Sequence, residues 1–77
     1  MNADSRNSPV SVEHSSLVKS LAETLSNIDF EHQLEIERLR ASRTSPEIKW
    51  LLLEKSRERH RERREPYVRE LASLHRR

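Results

Sequence analysis

A chain without a single glycine has few places to turn, and this one has only three prolines as punctuation. Its sharpest break is Ser42-Arg43-Thr44-Ser45-Pro46-Glu47. Pro46 suits the first position of a helix, where its missing N–H leaves nothing unsatisfied. Ser45 is placed to cap that helix, and Thr44 with Glu47 three residues on offers a second capping register. A link this short joins antiparallel helical neighbours. The segment therefore predicts a helical hairpin whose second arm runs from Pro46 into the Arg/Glu-rich stretch beyond.

The same lack of glycine removes whole classes of function. Phosphate-cradling loops, dinucleotide fingerprints and the nucleophile elbow all need glycine where the backbone turns tightly or approaches a ligand. The absence of cysteine excludes disulfides, thiolate zinc sites and cysteine nucleophiles. With 77 residues the chain allows one small domain, and a domain of that size hides only about 60% of its unfolded surface. Apolar residues make up 32% and charged residues 36%, yet Glu, Arg, Leu, Ala and Lys are good helix formers. The composition thus describes helices short of a core, which favours self-association or a partner.

Along the chain, residues 1–9 are polar and aperiodic and read as a disordered tail. Residues 10–77 then form a single small helical domain. Val10, His14, Leu17, Val18, Leu21, Leu25 and Ile28 fall on one stripe at helical spacing, giving a first helix over about 11–26. Ser26 and Asp29 can cap a new helix there, and Asn27 can end the old one. With no Gly or Pro at that point, a bent continuous helix is the alternative. A second helix, about 29–42, places Phe30, Leu34 and Ala41 on one side and Ile28, Ile36 and Leu39 nearly opposite. Two narrow stripes ask for two neighbours.

The third helix, about 46–74, sorts its charges. Glu47, Glu54, Glu58, Glu62 and Glu65 form a ridge, with Lys55, Arg59 and Arg63 on one flank and Arg57, Arg61 and Arg64 on the other. Facing away from the ridge is a seam of Leu53, Ser56, His60, Tyr67, Leu71 and Leu74. Pro46 to Leu53 is apolar nearly all round and is expected to be well buried. Pro66 lacks a donor, so it kinks the helix or starts a fourth short one; a kinked continuation is preferred. The expected fold is all-α: three helices, the last two forming an antiparallel hairpin, the third long, charged and kinked near Pro66.

Charge is uneven. Residues 1–44 carry five basic and seven acidic side chains, residues 45–77 ten and six. An acidic front and a basic back attract each other, within a chain or between two. The arginine flanks can pair with an acidic helix, and the segment holding Glu31, Glu35 and Glu37 is one candidate.

The expected function is that of a non-enzymatic helical interaction module, a small cytoplasmic regulator or assembly factor that homodimerises or docks a partner helix. Its contact residues would be Trp50, Leu53, Arg57, His60, Arg61, Arg64, Tyr67 and Leu71. Trp50 reads either as a core anchor or as an interface hot spot, since Trp and Arg dominate such sites. His60, on the seam among arginines, can make association pH-dependent. The alternative is a nucleic-acid accessory protein using Arg59, Arg61, Arg63, Arg64, Arg76 and Arg77. Against it, Glu alternates with Arg, residues 57–65 hold five Arg and three Glu, and no aromatic interrupts them for stacking. Anionic-membrane binding through 46–64 is a third possibility, weakened by the acidic ridge.

Other chemistry has little support. Asp29-x-x-His32 is one loose match to a carboxylate–histidine metal motif, and Glu58 and Glu62 bracket His60, but a di-metal bundle needs ligands from four helices. No metal, cofactor or small-molecule substrate is expected. No run is apolar enough to span a bilayer. The first ten residues lack the centre of a signal peptide, and a cytoplasmic location is the default.

Overall fold

A computed structural model describes residues 9–76, with side chains from His14 onward. The expected tail at 1–9 therefore lies outside the described residues except for Pro9, which opens the first helix. Two helices are seen rather than three: α1, Pro9–Ala41, and α2, Pro46–His75. They pack antiparallel as a hairpin one layer thick, with extents of 66 × 19 × 11 Å.

The link is where the sequence places it, but the capping is different. Ser45 flanks α2 with φ −58° and ψ 151°, the extended geometry a following proline imposes, and its carbonyl accepts the N–H of Lys49 at 2.8 Å. Its side chain makes no capping bond. The cap that matters closes α1 instead. Lys49 Nζ donates to the carbonyl of Arg40 at 3.0 Å, and the Ser42 hydroxyl donates to that of Leu39 at 2.8 Å. Two orphan carbonyls at the end of α1 are thus satisfied, one of them by a cation where the helix dipole favours it.

The break expected at Ser26–Asp29 does not occur; α1 is continuous. Ile28 is only 4% exposed, so the seam of the first helix continues through His32, Ile36 and Leu39 without changing face. The Thr24 hydroxyl donates to the carbonyl of Ser20 at 3.0 Å, occupying inside the helix a group that otherwise favours turns. Local capping signals lose here to tertiary templating: α2 is a 30-residue rod, and a straight partner covers more of it than a broken one.

Pro66 lies inside α2, which runs unbroken through it. Residues on both sides are tied to α1. Upstream, His60 and Arg64 meet Asp29; downstream, Leu74 is 3% exposed. Those contacts offset the lost backbone bond. At the end of α2, His75 Nδ1 donates to the carbonyl of Leu71 at 2.8 Å.

The inner seam of α2 follows the sequence pattern: Leu53, His60, Tyr67 and Leu71 are half-buried and Ser56 and Leu74 fully so. The seam's partner is the chain's own α1. The apolar first turns of α2 contradict expectation, because Ile48, Trp50, Leu51 and Leu52 are 47, 60, 48 and 38% exposed. On the second stripe of α1, Phe30 is 65% exposed and Ala41 is exposed, while Leu34 is half-buried. A single layer of two helices offers each helix one face to bury, so every second apolar stripe faces water.

Continuity of α1 has a direct test. Asn27→Pro would be nearly neutral if a new helix began there, because proline suits a first turn. In the continuous helix it removes a backbone bond and clashes with the preceding turn, so a loss of about 3 kcal/mol is expected in a thermal melt followed by circular dichroism.

Candidate functional site

In an antiparallel hairpin, residues equally far from the turn face one another, and at mid-length this rule brings polar groups together. Asp29, His32 and Glu35 of α1 meet Ser56, Arg59 and His60 of α2. His60 Nε2 lies 2.7 Å from Asp29 Oδ1, and since a carboxylate only accepts, that nitrogen carries the proton. The imidazoles of His32 and His60 stack, with centroids 4.0 Å apart and planes 6° from parallel. Ser56, 1% exposed, donates its hydroxyl proton to Glu35. Its oxygen is then left to accept from His32 Nδ1 at 3.4 Å. Arg59 Nη2 also donates to Glu35 Oε1, at 3.1 Å. The relay His32 to Ser56 to Glu35 assigns both the tautomer of His32 and the direction of each bond.

Ion pairs frame this layer on both sides. Arg59–Glu35 and Arg63–Glu31 (3.5 Å) close one flank, and Arg64–Asp29 (3.0 Å) the other. Arg64 Nε is buried at ion-pair distance but lacks hydrogen-bond alignment, so His60 is the directional donor to Asp29. Within α2, Arg57 pairs with Glu54 one turn before it, at 2.6 Å, while Arg59 turns to α1.

Ser, His and carboxylate side by side invite comparison with a nucleophilic triad, and the geometry argues the other way. A serine nucleophile must give its proton to histidine, whereas Ser56 gives it to Glu35 and is fully buried. Backbone N–H groups in mid-helix are already bonded, which leaves none for an oxyanion. Among the described residues, no three His, Cys, Asp or Glu side chains are grouped to hold a metal ion.

The sequence-derived contact residues divide into two sets. Leu53, His60, Tyr67 and Leu71 are half-buried on the α1-facing seam, and Arg64 reaches across to Asp29. Trp50, Arg57 and Arg61 remain exposed. Of the proposed nucleic-acid contacts, Arg59, Arg63 and Arg64 are engaged with α1 carboxylates, Arg61 and Arg76 are exposed, and Arg77 lies outside the described residues. Sequence reasoning missed the His32–His60 stack and the Ser56–Glu35 hydrogen bond, although it named Glu35 among the carboxylates facing the arginines. The signal was available in Ser56, as far beyond Pro46 as His32 is before Ser42, with His60 one turn further on.

No protein-family model, curated protein or solved structure matches the chain. Among the described residues, no helix is long and apolar enough to cross a membrane.

The polar layer makes the hairpin acid-sensitive. Burial, and then the adjacent His60, holds the imidazole of His32 below its usual 6.5; Arg57 acts the same way, while Glu35 and Asp29 oppose. The Ser56 hydrogen bond, helped by Arg59, holds Glu35 below its usual 4.5. In both cases the unfolded chain binds more protons than the folded one just below the usual value, so stability falls as pH falls. Melting temperatures should drop first below pH 6.5 and again below 4.5, and His32→Gln should remove the first decline while leaving the second. A flat profile between pH 7 and 5 would contradict the stacked arrangement.

Proposed function

We propose that the hairpin is a non-enzymatic docking module, a small cytoplasmic regulator or assembly factor that works by receiving a helix, its own copy's or another protein's. The observation that carries this reading is the collar of large apolar side chains at the start of α2. Ile48, Trp50, Leu51 and Leu52 lie within two turns of helix and are each more than a third exposed. Four exposed large apolar side chains in five residues are denser than the scattered single ones that need no explanation. The interior adds weight, since among the described residues only Ile28, Ile36 and Leu74 are fully buried apolar side chains. A hairpin this thin gains much of its stability when something covers its open faces.

The nucleic-acid alternative gains one observation: exposed Trp50 provides the aromatic platform that the arginine run itself lacks. It loses more, because Arg59, Arg63 and Arg64 are paired with Glu35, Glu31 and Asp29.

Two readouts test the docking reading. Trp50 is the only tryptophan, so its emission reports the collar alone. Melts at two well-separated protein concentrations then show what covers it. A melting temperature that rises with concentration means a second copy does so. A concentration-independent melt with solvent-exposed emission leaves the collar open to another partner. Buried-type emission from a concentration-independent monomer would overturn the reading, since the collar would then be covered by its own chain. Trp50→Ser with Leu51→Ser should change hairpin stability by no more than about 0.5 kcal/mol, as exposed substitutions do, while abolishing any association.

A further inference from the structure

The two broad sides of the hairpin differ in charge, and that difference selects an occupant. Arg64–Asp29 marks one side. On that side of α2, spacings of seven, eleven and eighteen residues align Trp50, Arg57, Arg61 and Val68 in one stripe. Its ends are apolar and open, Trp50 being 60% and Val68 39% exposed. Its centre is cationic. Arg57 has a carboxylate partner in Glu54, but Arg61 has none within ion-pair distance among the described residues. Across the notch, Asp29 is already shared by His60 and Arg64. On α1, exposed Ala22 and Ser26 share the face of Asp29, and their small side chains let a third helix approach closely.

Resting on the docking-module reading, we infer that this notch receives an acidic amphipathic helix of another protein, apolar at both ends and carboxylate-bearing at its middle. A second copy is the wrong occupant. Turned antiparallel about the centre of the stripe, it would set Trp50 over Val68 but Arg57 against Arg61 at both crossings. Placed parallel, it would oppose each arginine to itself. Like charges juxtaposed at an interface cost several kcal/mol. An acidic helix places carboxylates against the same two arginines, which are one turn apart and so match an i,i+4 pair. Of the acidic ridge, Glu54 borders the stripe through its pair with Arg57, while Glu58, Glu62 and Glu65 are exposed. From Trp50 to Val68 the stripe spans about 27 Å, so the incoming helix needs roughly eighteen residues.

The test uses the full chain and a synthetic twenty-residue amphipathic peptide with Leu at its end turns and Glu in its two central turns. Companion peptides carry Gln or Lys in place of Glu. Trp50 emission is followed during titration at two salt concentrations, alongside sedimentation of the protein alone. The expected result is saturable binding of the Glu peptide, weaker at higher salt, and at least tenfold weaker binding of the Gln and Lys peptides. Arg57→Glu with Arg61→Glu, its helix content checked by circular dichroism, should lose the Glu peptide by at least tenfold and gain the Lys peptide. Equal binding of the Glu and Gln peptides would overturn the acidic specificity while leaving a docking module. A dimer in sedimentation that excludes every peptide would overturn the choice of partner and leave self-association. A monomer that binds no peptide but shifts a single-stranded RNA oligonucleotide would overturn both readings.

Discussion

Everything in this molecule depends on a pairing register set by charge rather than by packing. Among the described residues, only three large apolar side chains are fully buried. Apolar contact alone would let two amphipathic rods slide past each other by a turn with modest loss. The polar layer forbids that. Asp29 must meet His60, Glu35 must meet Ser56 and Arg59, and Glu31 must meet Arg63. Exposed ion pairs contribute at most about 1 kcal/mol each to stability. A slip of one turn, however, would strand the buried Ser56 hydroxyl away from Glu35. An unsatisfied buried polar group costs about 1–3 kcal/mol. The layer therefore acts chiefly by penalising wrong registers, in the manner of polar core positions in coiled coils.

That division of labour explains which parts of the fold are legible in the sequence. The turn at Ser42–Pro46 is local chemistry, and the seam from Leu53 to Leu74 is simple periodicity, so both can be read directly. The arginine flanks also point correctly to an acidic helix, since Arg59, Arg63 and Arg64 find Glu35, Glu31 and Asp29. What local reading gets wrong lies where two levels disagree. Ser26, Asn27 and Asp29 carry capping chemistry, but Ile28 between them is a core residue and the long α2 holds the helix together across them. Trp50 carries the chemistry of a core anchor, but burial requires an opposing surface. A two-helix layer has none to offer outside its single seam.

The candidate sites follow the same logic. His32 and Ser56 look unremarkable in sequence, each a polar position on an otherwise apolar stripe. They gain meaning only when the hairpin sets both at the same level and Glu35 accepts the Ser56 proton. The network is directional, with Ser56 buried at its centre and the carboxylates of Asp29 and Glu35 partly exposed at its rim. Trp50, Arg57 and Arg61 show the opposite property. They are the members of the sequence-derived contact set that the hairpin leaves unused.

A fold with one internal seam and several leftover stripes is architecturally incomplete. The periodicity of α1, with apolar residues on two sides, calls for two neighbours, and the chain supplies only one. A helix in the proposed notch between Trp50 and Val68 would cover an open stripe of α2, while the Phe30 side of α1 would still face water. Docking there would have a consequence for the interior as well. A helix laid against Arg57 and Arg61 would bring its carboxylates close to the layer that contains Asp29 and His32. Those charges favour protonated imidazole, opposing the effects that keep His32 neutral. By linkage, the acid sensitivity of the free hairpin should then be smaller in the complex, because a partner that tolerates the imidazolium removes part of its cost. Binding and protonation would be coupled through His32.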